Sequence, residues 1–395
     1  YLSAASLLYS SSTSYRNFSN DPFLGGTTLN DSTSMFSLKL HDNTFDTSFY
    51  AYKSVFCFGN ALICLGSNVS CTSTTVPVYT TLLQHEVLTG ESLKVNGTAV
   101  TANQTGLVQP VIADNLGNRF IVKTGTVDLN VNGTLFSAVI NHGMAPKSQN
   151  YAYYMLLKSN DNQETKYKTA ATSPIKIIRQ DNVAHIVQQT EQNTWGYAIF
   201  NSSTALTDQW IYQVNSPSMV MLRQIDTSRI QLSISDPDMR RGSAANSDAM
   251  SDAIFYDSGT TFNYQIILNG LYSLDGTNPN FTVVNGTNTT TLKVTVSEGK
   301  SYSVSLKNLI TQIDSTKGYN IFHCMGTDIK NKYKIESSDN QTFKLSVCSI
   351  DGRIVKSVPD INSTYFLDIQ DVSKGIYIIS MQNPRARLNQ KVIVQ

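Results

Sequence analysis

The sequence predicts an all-β protein, and three observations carry that prediction. Apolar and polar residues alternate with period two along most of its 395 residues, turn dipeptides recur at short intervals, and helical spacing of apolar residues is scarce. Phe36, Leu38 and Leu40 alternate with Ser37 and Lys39. The run KSVFCF, then Gly59-Asn60, then ALICL reads as two apolar strands joined by a tight turn. Val127, Leu129 and Val131 alternate with polar residues into Asn132-Gly133, a hairpin signal. Further turns are expected at Asn96-Gly97, Asp181-Asn182, Asn269-Gly270 and Asn285-Gly286. Leu292, Val294 and Val296 alternate again, as do Tyr302, Val304 and Leu306. Short strands at this density indicate packed antiparallel sheets.

Three segments follow from the pattern. Residues 1–173 read as a large sandwich with long aromatic strands, 174–308 as a smaller one, and 309–395 as a compact β module. The polar stretch Ser159–Ser173 (SNDNQETKYKTAATS) reads as an exposed linker or loop.

Composition excludes several classes. Thirty Lys+Arg against 29 Asp+Glu give a formal charge of +1, which argues against a nucleic-acid binder with its basic stripe. A polyanionic sugar stays compatible, because a few basic groups in one cleft can meet it while the whole chain is neutral. No apolar run approaches the roughly 18 residues of a membrane-spanning helix. Tyr1 opens without an initiator Met or the features of a signal peptide; the expectation is a chain that begins inside a longer protein or has lost its leader. The sequons at Asn17, Asn68, Asn103 and Asn132 reflect loops rich in Asn, Ser and Thr.

Five cysteines are an odd number, so at least one is outside any intrachain disulfide; a Cys324–Cys348 pair stays open in an oxidising compartment. There is no CxxC and no His at zinc-finger spacing, so neither a metal site nor a cofactor is expected. The five histidines are His41, His85, His142, His185 and His323. His85 lies in an alternating strand and reads as structural. His185 alternates with Val183 and Val187, which makes it a satisfied core or interface residue on their face. Asn141-His142-Gly143 ends a strand, where a His before a Gly most often hydrogen-bonds the loop; His142 and Gly143 are therefore assigned as a structural motif. No GxSxG, P-loop or GxGxxG occurs. Arg240-Arg241, in a polar loop, reads as plain surface.

Several segments in order resemble polysaccharide lyase family 8, of the chondroitin sulfate ABC lyase type. They are PFLGGT (Pro22–Thr27), AYKSVFCFGNALICLGSNVS (Ala51–Ser70), VYTTLLQHEV (Val78–Val87), NHGMAP with NYAYYMLL (Asn141–Leu157), WGYAIF (Trp195–Phe200), NSPSMVM and ISDPDM (Ile234–Met239). The resemblance covers roughly residues 20–308. It implies a large galactose mutarotase-like supersandwich, then a smaller β-sandwich, both attached to an N-terminal helical toroid. It also implies a carbon–oxygen lyase that cleaves glycosaminoglycans by β-elimination, in which one group neutralises the uronate carboxylate, a base takes the C5 proton and an acid protonates the leaving oxygen.

In the family those groups are His, Tyr and Arg of the toroid, with a Glu from the early sandwich in ABC-type enzymes. That Glu position aligns with Asn30, beside Asp31, so no catalytic residue is assigned to this chain and the segment alone is expected to be inactive. Tyr15 and Arg16, in the loop before PFLGGT, are the candidate substrate-binding pair, since a guanidinium fork suits a sulfate or uronate. The implied partners are a glycosaminoglycan and the helical catalytic domain of the same protein, with no nucleic acid and no membrane span. The reading from another class is a non-catalytic carbohydrate-binding β-protein.

Residues 343–395 are similar to the C-terminal sorting domain of the type IX secretion system. Asp351-Gly352-Arg353, Lys374-Gly375-Ile376-Tyr377 and Lys391–Val394 carry that likeness, while Gln395 departs from the basic terminus usual there. The resemblance implies a secreted, periplasmic or cell-surface protein.

Overall fold

A computed structural model of the chain describes residues 21–42, 46–87, 91–206, 208–238, 261–309, 322–327, 329–337, 342–383 and 387–394. The chain divides into two compact units, Tyr1–Leu309 and Ile310–Gln395. Nearly all described elements are antiparallel strands, in three pairs of sheets.

The first unit contains two sandwiches. In the first, a nine-stranded sheet faces a four-stranded one; in the second, a seven-stranded sheet faces another of four. Each has its own apolar core: Val78, Ile112, Phe120, Val127 and Ile140 in the first, and Trp195, Tyr197, Leu232, Tyr264 and Leu292 in the second. A third core lies between them, where Phe56, Ile63 and Leu65 of the nine-stranded sheet meet Val187, Ala198, Met219 and Met221 of the seven-stranded sheet. The nine-stranded sheet is therefore covered on both faces.

At the strand Thr33–His41 the seam is the face that is covered. The strand's alternation is plain in sequence, yet Ser37 is fully buried and Phe36 is 44% exposed. Ser37 faces the seam between the sandwiches and donates to the Lys53 carbonyl at 2.7 Å, so burying it strands no hydroxyl.

Turns follow local chemistry with one shift. Asn96 and Gly97 both adopt positive φ (49° and 84°), the I′ geometry of a two-residue hairpin, and Gly59 (φ 63°) opens the turn between Tyr50–Phe58 and Ala61–Ser70. At Asn132-Gly133 the register moves by one residue: Asn132 pairs with Leu135, so Gly133 and Thr134 make the turn.

The segment 159–173, expected as loop, contains a helix, Asp161–Lys168. Asn160 caps it: its side chain accepts from the Gln163 amide while the Gln163 side chain accepts from the Asn160 N–H. Asp161 and Glu164 stand in the first turn, Lys166 and Lys168 in the last, each suited to the helix dipole. Tyr167 is the one buried residue, so no apolar periodicity announced this helix. Arg119 holds it to the first sandwich through Asp161 and through Glu164 at 2.8 Å.

The second unit is a sandwich of a three-stranded and a four-stranded sheet over Ile335, Phe343, Val347, Leu367 and Ile379. All five cysteines are free. The pairing left open for Cys324 and Cys348 does not form: Cys324 packs against the core of this sandwich, whereas Cys348 alternates with the buried Leu345 and Val347 and points the other way.

Candidate functional site

The first strand, Leu24–Asn30, runs along the seam and ties the sandwiches together. Its Leu24 N–H donates to the Pro237 carbonyl at 3.1 Å, Ser235 donates to the Gly26 carbonyl at 2.9 Å, and Thr27 and Ser233 hydroxyls meet at 2.9 Å. Where this strand begins, a depression of about 530 Å³ opens between the sandwiches. Phe23, Lys39, His41 and Tyr50 line one side, and Pro217, Asp236 and Asp238 the other.

The side chains of this wall are held by one another. The His41 ring stacks on Tyr50 at 4.0 Å and 13°, and its Nε2 lies 3.1 Å from the Thr47 carbonyl, which can only accept, so Nε2 carries the proton. The Lys39 ammonium sits over the rings of Tyr52 and Phe23 at 5.2 and 5.7 Å and 3.8 Å from Asp21. Asp236 is buried and accepts from the Tyr264 hydroxyl at 3.0 Å and from the Asp238 N–H at 2.9 Å. An aromatic stack beside carboxylates and an ammonium is chemistry suited to a sugar ring and its substituents.

Asn30 lies at the other end of the same strand, roughly 20 Å from this depression at the usual strand rise. Its amide oxygen accepts from the Ser32 N–H at 3.0 Å. Tyr15, Arg16 and Arg240-Arg241 lie outside the described residues, as does the side chain of His323.

His142 stands at the end of Leu135–Gly143, buried, with Thr80 Oγ1 2.9 Å from Nε2 and Gln149 Oε1 3.4 Å from Nδ1. The amide oxygen takes the Nδ1 proton, so the Thr80 hydroxyl donates to Nε2. Burial pulls the imidazole down to about 4, with the Lys53 ammonium acting the same way. Lys53 itself is drawn down to about 8 by burial. Gly143 takes φ 73°, a left-handed conformation suited to glycine.

His185 is fully buried in the seam. Ser67 donates to the Asp181 carbonyl at 2.9 Å, so its oxygen accepts from His185 Nε2 at 2.8 Å; Nδ1 then accepts from Ser54 at 2.6 Å. Burial pulls this ring down to about 3, against the opposing field of Asp181. The ring sits edge-on to Phe200 at 4.9 Å. Val187 shares its face toward the seam, whereas Val183 packs in the second sandwich's own core. His85 is half-buried, and its Nε2 has no hydrogen-bond partner among the described residues.

The serines that satisfy His185 were not singled out from sequence, nor was Gln180, whose amide donates to the Gly66 and Tyr151 carbonyls at 2.8 and 2.7 Å. Nothing local marks them, because each meets a partner from a distant strand.

Comparison with known proteins gives three family matches along the chain. Residues 3–111 match polysaccharide lyase family 8, super-sandwich domain; residues 176–245 match its C-terminal β-sandwich domain; residues 329–395 match the secretion system C-terminal sorting domain. The chain is 31% identical over 225 residues to a chondroitin sulfate ABC endolyase of Proteus vulgaris, covering 51% of this chain and 22% of that protein. It is 29% identical over 255 residues to a chondroitin sulfate ABC exolyase of the same organism, covering 59% and 25%. The chain thus spans about a quarter of the length of these curated relatives.

Among solved structures, a Paenibacillus xanthan lyase aligns with TM-score 0.60 at 17% identity, covering 98% of this chain and 44% of that one. A Streptomyces coelicolor chondroitin AC lyase aligns with TM-score 0.54 at 15% identity, covering 73% and 36%. At such identities the likeness is one of fold.

Proposed function

We propose that this chain, which carries the super-sandwich and C-terminal β-sandwich domains of polysaccharide lyase family 8 and a secretion-system sorting domain, is the β portion of an exported glycosaminoglycan lyase. The sorting domain marks it for secretion or the cell surface. Among the described residues no helix is long and apolar enough to cross a membrane. In this reading the sandwiches brace a helical catalytic domain and form one wall of the polysaccharide cleft, with chondroitin sulfate, dermatan sulfate or hyaluronan as substrate class.

The observation that supports it most is the order of the two family-8 domains in one unit, with a shared apolar core between them. A wall of this kind must hold its shape under a bound polymer, and a seam of apolar packing plus satisfied polar contacts supplies that stiffness. Tyr15 and Arg16, which lie outside the described residues, are proposed from their sequence as contacts for an anionic group.

The test is direct. The chain alone, incubated with chondroitin sulfate, should give no rise in the ultraviolet absorbance of the unsaturated uronate, whereas the complete protein should. A steady rise from the chain alone would overturn the assignment of the chemistry elsewhere. Retained polymer binding with an inactive complete protein would favour the carbohydrate-binding alternative instead.

A further inference from the structure

The depression at the seam is lined by residues whose positions are fixed before anything enters it. His41 and Tyr50 are cross-strand partners, so register brings their rings into the stack, and Tyr50 stays 39% exposed. The loop whose Thr47 carbonyl holds His41 is tied down on both sides of Thr47. Asp46 accepts from the buried Cys71 thiol at 3.0 Å, and Ser48 Oγ accepts from the Thr72 N–H at 2.8 Å. Across the opening, the Pro237 carbonyl is held by the Leu24 N–H. Pro22, Pro217 and Pro237 all line the depression. Three of the chain's ten prolines thus meet here, and each fixes its own φ at about −65°, so the rim keeps its shape without a ligand.

Its size and chemistry narrow what it can hold. About 530 Å³ falls within the roughly 300–1,000 Å³ of small-ligand clefts and gives room to a pyranose ring. Tyr50 and the prolines offer apolar surface to the C–H face of such a ring. The carboxylates of Asp236 and Asp238 are acceptors only, which suits a ligand rich in hydroxyl donors. Among the described lining residues Lys39 is the one ammonium. It stands 3.8 Å from Asp21 and over the rings of Tyr52 and Phe23, so a sulfate or uronate would meet acceptors before it met an uncommitted cation.

We propose that the depression is a subsite for an uncharged pyranose residue, an N-acetylhexosamine without sulfate, laid against Tyr50 with its hydroxyls toward the Asp236 side. The acetamido methyl finds apolar surface on Pro22 and Pro217. This rests on the reading of the chain as part of a polysaccharide-acting protein and deepens it, by naming where and by which chemistry the β domains hold a sugar ring. Because both sandwiches contribute walls, the subsite exists only while the seam between them is closed.

The experiment titrates N-acetylgalactosamine, and in parallel its sulfate ester, into the full chain and follows binding by saturation-transfer NMR. The neutral sugar should bind and its sulfate ester should bind more weakly. Tyr50→Ala should weaken the neutral sugar about tenfold or more, whereas Tyr50→Phe, which keeps the ring, should bind as wild type. Ser216→Trp fills the depression from its rim without touching Tyr50 and should abolish binding at unchanged melting temperature, which keeps the test valid if Tyr50→Ala fails to fold. No binding, binding indifferent to Ser216→Trp, or a sulfate ester that binds more tightly than the neutral sugar would each overturn the proposal. The underlying reading fails separately. A complete protein that releases unsaturated uronate while its chain binds no neutral sugar loses the subsite and keeps the lyase. One that binds the sugar at the depression and releases none keeps the subsite and loses the lyase.

Discussion

The seam between the two sandwiches and the open face of the tail sheet are both faces of antiparallel sheets, but they are built in opposite ways. The seam embeds Ser37, Ser54, Ser67, Thr27 and His185 among its apolar residues, and each of these polar groups has a partner. The tail face sets isoleucines where water reaches them. A seam with buried, mutually satisfied polar groups is costly to part, because opening it would expose apolar surface and break geometry-specific hydrogen bonds together. An uncovered apolar face, in contrast, has stabilisation still to gain from a partner. The difference separates a joint closed within the chain from a face whose isoleucines are left to water.

Acid should break the seam side of this comparison most. The unfolded chain protonates its histidines near pH 6.5, whereas folded His185 and His142 stay neutral to about 3 and about 4. Below 6.5 the unfolded state therefore binds more protons, and stability falls as pH drops toward 3; above 6.5 the contribution is complete. For His185 the loss is of order 5 kcal/mol. Denaturant melts of wild type and His185→Gln between pH 7 and 4 check it: the variant should show a shallower decline, and parallel curves would count against the assignment.

Steric pressure on the same joint comes next. A Cβ at Gly196 would lie 2.4 Å from a ring carbon of Phe56 and 3.1 Å from the Met221 sulfur, and Phe56 is fully buried. Gly196→Ala should cost about 1–3 kcal/mol, read as a lowered denaturation midpoint. A neutral result would mean that the seam yields more readily than its packing indicates.

His142 sharpens the comparison inside a single sandwich. His142→Ala removes contacts to Thr80 and Gln149 and should cost about 1–2 kcal/mol, with the turnover proposed for the complete protein largely kept. A fall in kcat beyond roughly a hundredfold at unchanged stability would give the residue a catalytic part. The smallest effect is expected on the open face: Ile378→Ser should change the stability of the chain by less than about 0.5 kcal/mol, and a larger loss would show that the face is covered within the chain itself.

Much of the fold was legible residue by residue. Alternation located the strands around Phe36, Val127 and Leu292, and Gly59-Asn60 and Asn96-Gly97 located their turns, because backbone pleat and positive φ are local demands. The family motifs were legible for the same reason, as short strings in order. The depression lined by His41, Tyr50 and Asp236 was not, since its two sides lie far apart in sequence.

What the sequence by itself determined is the β class, the positions of most strands, and the kinship of its segments to lyase and sorting domains. Only the tertiary structure decided which face of each strand is inside. Period two says that Phe36 and Ser37 point opposite ways, and nothing more. Ser37 is buried because a second sandwich covers that side and the Lys53 carbonyl accepts its proton. Tyr167 is buried, and its polar helix ordered, because the first sandwich holds that helix by Arg119. His185 is neutral because the facing sheet buries it, with Ser54 and Ser67 of that sheet meeting its two ring nitrogens. In each case burial depends on what distant segments bring to the contact, a quantity that no local pattern contains.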